Sequence, residues 1–144
     1  MSEEVRREVN KYGTIHYYDS TGQYHRLDGP AYEDVNGHKE WYCNGNLHRL
    51  DGPAVEFASG SKHWYYNGNL HRSDGPAIDE GDDYKAWYNH GILHRLDGPA
   101  REWSSGSKEW WIDGKYYTTQ KEWERACCPS IETLKEMFKE VQHE

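Results

Sequence analysis

Hydrophobic and polar residues alternate along most of this chain in short runs, and the runs return at a fixed interval. Four runs with a period of two cover 31–35, 54–58, 77–80 and 100–104, and four more cover 39–43, 62–66, 85–89 and 108–112. Between the members of each pair stands a turn signal: Asn36-Gly37, Ser59-Gly60, Asp82-Asp83 or Ser105-Gly106. Period-two alternation puts successive side chains on opposite faces, and glycine reaches positive φ without steric cost, so each pair predicts a β-hairpin. A second glycine turn (Gly45, Gly68, Gly91, Gly114) closes each unit. In every second run a lysine and a tryptophan stand two apart, as Lys39/Trp41, Lys62/Trp64, Lys85/Trp87 and Lys108/Trp110, and therefore share a face. The aromatic after each tryptophan (Tyr42, Tyr65, Tyr88, Trp111) points the other way. Both faces of the sheet are thus aromatic, which requires a cover on both sides or a binding surface on one.

Joining one unit to the next is His-Arg-x-Asp-Gly-Pro-Ala, which begins at His25, His48, His71 and His94, 23 residues apart each time. Four of the five prolines belong to it. A fixed period of this length marks one supersecondary unit per repeat, stacked so that neighbours bury each other. Proline cannot donate to a ladder, so Asp-Gly-Pro predicts a bend where pairing stops, with Gly52 at positive φ. Within each bend the histidine is expected to pack or hydrogen-bond locally, and the arginine to pair with an aspartate of its own or the adjacent bend. Equivalent side chains in neighbouring repeats start about 10 Å apart, two strand spacings, which does not suit a zinc shared between His48 and His71 at bonds of about 2 Å.

The ends depart from the pattern. Residues 12–24 form a degenerate half-repeat in which Ile15, Tyr17 and Tyr18 lead to a turn at Ser20-Thr21-Gly22. Residues 1–11 read as a tail or as one or two helical turns capped by Ser2. After Gly114, Thr119-Gln120-Lys121-Glu122 reads as a capping box opening a helix that Pro129 stops after Cys128. Ser130 then caps a second helix with Ile131, Leu134, Phe138 and Val141 on one stripe. A repeat array needs its last edge covered, and these helices are the lid.

Composition sharpens this picture. The hydrophobic fraction of 35% with 29% charged residues leans towards disorder, but 15% aromatic residues supply a core of a different kind. The net charge is −8, of which the repeats carry −6, and no basic stripe is visible; nucleic acid and anionic membrane surfaces are disfavoured partners. Three cysteines, Cys43, Cys127 and Cys128, with no leader segment and no bilayer-spanning apolar run, lead us to expect a reduced, cytoplasmic protein. Cys127-Cys128 lacks a basic neighbourhood for thiolate chemistry, and Asp79, Glu80, Asp82 and Asp83 lack the spacing of a calcium loop. Neither a phosphate-cradling loop, a nucleophile elbow nor a metalloprotease helix is present, and no cofactor is expected.

Asn-Gly-x-x-His, a bend, a short strand, a glycine turn and an aromatic-rich strand back to Asn-Gly, repeated at 23 residues over roughly 12–118, resembles the MORN repeat. A standard MORN unit continues His-Gly-x-Gly where this chain has His-Arg-x-Asp-Gly-Pro-Ala. The resemblance implies a single-layer, twisted antiparallel meander with a grooved face, used as an interaction scaffold. The Asp-Gly-Pro-Ala variant is also similar to proteins of phages and large DNA viruses, which implies a viral accessory protein acting in the host cytoplasm.

The chain therefore reads as mainly β: a single-layer meander of MORN-like hairpins over 12–118, preceded by the tail or short helix of 1–11 and closed by the helical cap of 119–144. The expected function is binding, not catalysis. A protein or peptide, with acidic rims favouring a basic one, would lie in an aromatic groove made by Tyr42, Tyr65, Tyr88 and Trp111. The tryptophan row reads as core, while the second row is open between core and binding. The alternative is a small anionic ligand such as a nucleotide signal, sequestered by His48, Arg49, His71 and Arg72, since arginine offers a forked donor to phosphate.

Overall fold

The repeating bend makes the chain return on itself every 23 residues, and the result is a meander. A computed structural model describes residues 4–127. Eleven antiparallel strands form one sheet in chain order: Arg6–Val9, Ile15–Tyr18, Tyr32–Glu33, Lys39–Glu40, Val55–Glu56, Lys62–His63, Ile78–Asp79, Tyr84–Ala86, Arg101–Trp103, Lys108–Ile112 and Lys115–Tyr117. Each full repeat adds one hairpin to this sheet, as the alternation predicts.

In the first three copies the second strand of the hairpin does not run on as a single piece, whereas in the fourth Lys108–Ile112 is continuous. It breaks at Trp41, Trp64 and Trp87, and its far half pairs locally in a two-stranded ribbon: Tyr42–Cys43 with Asn46–Leu47, Tyr65–Tyr66 with Asn69–Leu70, and Tyr88–Asn89 with Ile92–Leu93. The ribbon turns are Asn44-Gly45, Asn67-Gly68, His90-Gly91 and Asp113-Gly114, with both residues at positive φ, for example 50° and 78° at Asn44 and Gly45. That geometry matches the twist of a two-residue hairpin and favours Asn-Gly. The hairpin turns of the main sheet place Gly37, Gly60 and Gly106 at positive φ. In the third copy the positive φ falls on Gly81, ahead of the Asp82-Asp83 pair that the sequence suggested.

Cross-strand register explains the fixed lysines. On one face, neighbours across the sheet read Glu33, Lys39, Glu56, Lys62, Asp79, Lys85, Glu102, Lys108, strictly alternating in sign. Directly opposed opposite charges contribute roughly 0.2–1 kcal/mol each relative to alanine. On the same face, one step along the strands, the Trp41, Trp64 and Trp87 amides donate to the carbonyls of Ala54, Ala77 and Ala100. Large and small residues thus alternate across the sheet. Ala31, Ala54, Ala77 and Ala100 are fully buried at 0% exposure, and together with Ala86, Val55, Thr14, His25 and Trp123 they make the thin core.

The N-terminal segment departs from expectation. Arg6–Val9 is an exposed edge strand paired with Ile15–Tyr18, where the sequence suggested a tail or helical turns. Its turn is built by Asn10, whose side-chain oxygen accepts the amides of Tyr12 and Thr14, with Gly13 at positive φ. At the other end the capping box forms as expected: Thr119 Oγ1 accepts the Glu122 amide at 3.2 Å and the helix Gln120–Cys127 follows. The second helix expected from Ser130, with Ile131, Leu134, Phe138 and Val141, lies outside the described residues.

Candidate functional site

The sheet presents two chemically distinct faces, and the sequence-predicted site residues divide between them. His48, Arg49, His71 and Arg72 belong to the face of the charge ladder; Tyr42, Tyr65, Tyr88 and Trp111 belong to the opposite one.

On the ladder face each bend closes around its arginine. Arg49 donates through Nε to Asp51 at 2.9 Å, and through Nη1 to the Pro53 carbonyl at 3.1 Å and to Glu56 at 3.0 Å. Its guanidinium lies 4.0 Å from the ring centroid of Trp41. Arg26 over Tyr17, Arg72 over Trp64 and Arg95 over Trp87 repeat the stack at 4.1, 3.9 and 3.7 Å, each with its own Asp-Pro pair. The arginines pair within their own bends, and the neighbouring guanidinium holds the carboxyls of Asp28, Asp51, Asp74 and Asp97 below their usual range. Gly52 does not adopt positive φ, contrary to the sequence expectation. A Cβ there would meet Arg49 Cζ at 2.9 Å, so glycine is required for the close approach of the guanidinium.

The hydrogen bond that each motif histidine makes through Nδ1 reaches beyond its own bend. Nδ1 of His25, His48, His71 and His94 accepts the backbone amide of Asn44, Asn67, His90 and Asp113, at 2.9, 3.0, 3.1 and 3.1 Å. Each partner is the first left-handed residue of the ribbon turn that follows its histidine. The motif histidine is therefore a clamp between a bend and the next turn of the array. Three clefts of about 600, 570 and 340 Å³ separate successive bends. Leu27, Leu50 and Leu96 stand beside them, 77%, 81% and 55% exposed, with Ser73 in the equivalent place of the third copy. Every guanidinium in these clefts is matched by an adjacent aspartate, so the clefts carry little net positive charge for an anion.

The opposite face gathers aromatics and histidines. The cross-strand row His16, Tyr32, Glu40, Val55, His63, Ile78, Ala86, Arg101, Glu109 runs the width of the repeats. Two residues further along the strands stand Tyr42, Tyr65, Tyr88 and Trp111, all half-buried, and Tyr24 stacks on Tyr42 at 5.0 Å. Glu40 accepts from Tyr42 Oη at 2.8 Å and lies 2.8 Å from His38 Nε2. At the other end Glu109 accepts from Trp111 Nε1 at 3.0 Å and from Arg101 at 3.2 Å, while Arg101 also reaches Tyr88 Oη at 3.4 Å. Tyr65 Oη makes no hydrogen bond among the described residues. Desolvation first and the hydrogen-bonded Tyr18 hydroxyl second push the Tyr24 hydroxyl up to about 12. Desolvation first and the nearby Glu40 carboxylate second push Tyr65 in the same direction. At Tyr42 the Glu40 hydrogen bond stands between those two causes.

The helix sits on the ladder face. Trp123 packs on Trp110 at 4.8 Å between ring centroids and donates through Nε1 to the Arg95 carbonyl at 3.2 Å. Among the described residues, no element covers the tyrosine face. Sequence reasoning missed the tyrosines' partners Glu40, Arg101 and Glu109, although the signal was there: Glu40 and Glu109 each stand two residues before an aromatic of the row, on the same face. No helix among the described residues is long and apolar enough to cross a membrane, and no group of three or more metal-ligating side chains occurs among them. Compared with protein-family models, curated proteins and solved structures, the chain matches none.

Proposed function

We propose that this protein is a non-enzymatic binding scaffold that holds a protein or peptide on its tyrosine face. The observation that carries the reading is a row of half-buried aromatics on a single-layer sheet, with no second layer over it among the described residues. An aromatic surface of this extent is characteristic of interaction sites, and tyrosine offers a large ring at low entropic cost. Across the repeats Glu40, Glu80 and Glu109 stand on that face against one guanidinium, Arg101, while Arg6 at the N-terminal edge is paired with Glu8; this balance favours a basic partner. The spacing and the glycine, histidine and aromatic placements resemble those of MORN repeats, and the proposal extends their scaffold role to this chain, as a viral accessory protein of the host cytoplasm.

An anionic ligand at His48, Arg49, His71 and Arg72 has less support. Each guanidinium already satisfies an aspartate and a proline carbonyl. Each histidine Nδ1 already accepts a backbone amide.

The test compares two double variants that leave the bends intact. Tyr65→Ala/Tyr88→Ala removes the middle of the row; Leu50→Ser/Leu96→Ser removes the exposed leucines of the bend edge. Both are checked by thermal melting and then used to capture partners from lysate. The reading expects the first variant, folded, to lose what the parent protein captures, and the second to keep it. The reverse pattern moves the site to the bends.

A further inference from the structure

We propose that the tyrosine face binds a basic, proline-rich segment in the polyproline II conformation. The inference rests on the binding reading above and specifies the conformation and charge of the partner.

Spacing supplies the first argument. Tyr42, Tyr65, Tyr88 and Trp111 each follow by two residues Glu40, His63, Ala86 and Glu109, which stand two strands apart from one repeat to the next in the eleven-stranded sheet. At about 4.8 Å per strand, the row has a step of about 9.6 Å. A polyproline II helix returns to the same face every three residues, which is about 9.3 Å at 3.1 Å per residue, so three steps drift by roughly 1 Å. An extended strand alternates faces, so the residue three positions on, which matches the step in distance, points away from the row. An α-helix returns after seven residues, about 10.5 Å, and rotates by roughly 20° each time, so three steps drift by roughly 3 Å and about 60°. Of the three regular conformations, polyproline II alone keeps one side chain over every ring.

Chemistry supplies the second argument. A polyproline II backbone makes no internal hydrogen bonds, so its carbonyls need outside donors. Tyr65 Oη, in the middle of the row, has no hydrogen-bond partner among the described residues and is placed to donate. Proline rings pack on aromatic walls, and the conformation is already formed in the free peptide, which lowers the entropy of docking. Charge supplies the third. Glu40 is met by His38 and Tyr42, and Glu80 by His63 at 3.8 Å, all neutral groups when the imidazoles are unprotonated. Of these three carboxylates Glu109 alone has a guanidinium partner, Arg101, at 3.2 Å, and Glu8 at the edge of the face is paired with Arg6. Two carboxylates on this face therefore lack a cation, and lysine or arginine between the prolines would supply it.

The experiment uses the full chain and fluorescein-labelled peptides read by anisotropy. A repeating Pro-Pro-Lys peptide of four turns is compared with Gly-Gly-Lys of equal length and charge, with Pro-Pro-Glu, and with a basic amphipathic helix-former. Pro-Pro-Lys is expected to bind at least tenfold more tightly than the others. Tyr65→Phe, which keeps the ring and removes the hydroxyl, is expected to weaken it by about three- to tenfold. Leu50→Ser is expected to leave it unchanged. Equal affinity for Gly-Gly-Lys reduces the interaction to charge and overturns the proposal. Preferential binding of the helix-former, sensitive to Tyr65→Phe, overturns it while leaving the tyrosine face as the site. Binding of Pro-Pro-Lys that is lost in Leu50→Ser and kept in Tyr65→Phe overturns both, whereas the absence of binding by every peptide overturns this proposal alone and leaves the tyrosine face to be judged by the capture experiment above.

Discussion

Trp123 lies 4.8 Å from Trp110, over the ring that has no arginine of its own, whereas Arg49, Arg72 and Arg95 cover the three preceding tryptophans. The helix thus ends the array by substituting an indole for the guanidinium that a fifth bend would have supplied. Trp123 is 7% exposed, so Trp123→Ala opens a cavity and bares Trp110. A loss of about 3 kcal/mol or more is expected, read as a lower urea midpoint with a red shift of tryptophan emission. An unchanged midpoint would show that the helix is not part of the folded unit.

Gly52 gives a prediction through coupling. Because its Cβ would stand 2.9 Å from Arg49 Cζ, Gly52→Ala forces the guanidinium off Trp41 and away from Asp51. A cost above about 1 kcal/mol is expected in the parent protein. In an Arg49→Ala background most of that cost disappears, giving a clear interaction term in the double-mutant cycle. Additive costs would contradict the packing role.

The charge ladder is tested by reversal. Lys62 stands between Glu56 and Asp79, so Lys62→Glu places three carboxylates side by side. Lys62→Glu is expected to destabilise more than Lys62→Ala, by roughly 0.5–2 kcal/mol over the two pairs, and the difference should shrink in high salt. Equal effects of the two substitutions would remove the ladder from the account of stability.

Much of this architecture is legible in the sequence. The hairpins follow from period-two runs and glycine turns, and the helix cap from Thr119 and Glu122. The charge ladder was not read because it needs register: Lys62 can be matched to Asp79 only once the strands are paired. The edge strand Arg6–Val9 was missed because Ser2 and the acidic residues after it imitate a helix start, while the signal that decides, Asn10 with Gly13, is local turn chemistry. The role of Gly52 was misassigned because a glycine required for clearance and one required for positive φ look alike in sequence. The division of site residues between two faces was visible in the alternation, but the saturation of the arginines was not.

His90 offers a pH prediction. Burial first, and the stacked His90 ring at 4.0 Å second, lower the pKa of His71; burial also lowers that of His63 against the opposing pull of Glu80. Above about pH 6.5 both folded and unfolded chains hold these rings neutral, and nothing is lost. Below it the unfolded chain takes up protons that the folded rings resist, so stability falls with pH until the depressed folded values are reached. His90→Asn removes one like charge and restores the residue that the first two copies carry at this left-handed position, where φ is 46°. The variant is expected to melt higher than the parent protein, with the larger gain at pH 5.5 than at pH 7.5. A gain independent of pH would assign the effect to the turn alone.

The central claim, that the tyrosine face is the working face, is tested most directly by the indole N–H resonances. The seven tryptophans report separately on the two sides of the sheet. Trp103 and Trp111 stand on the tyrosine face, beside Tyr84 and Glu109, while Trp41, Trp64 and Trp87 lie under arginines and Trp110 under Trp123 on the other. In a nitrogen–proton correlation spectrum of the labelled protein, titration with the Pro-Pro-Lys peptide is expected to shift Trp103 and Trp111 and leave Trp41, Trp64 and Trp87 in place. Shifts confined to Trp41, Trp64 and Trp87 would contradict the account and assign binding to the His-Arg bends.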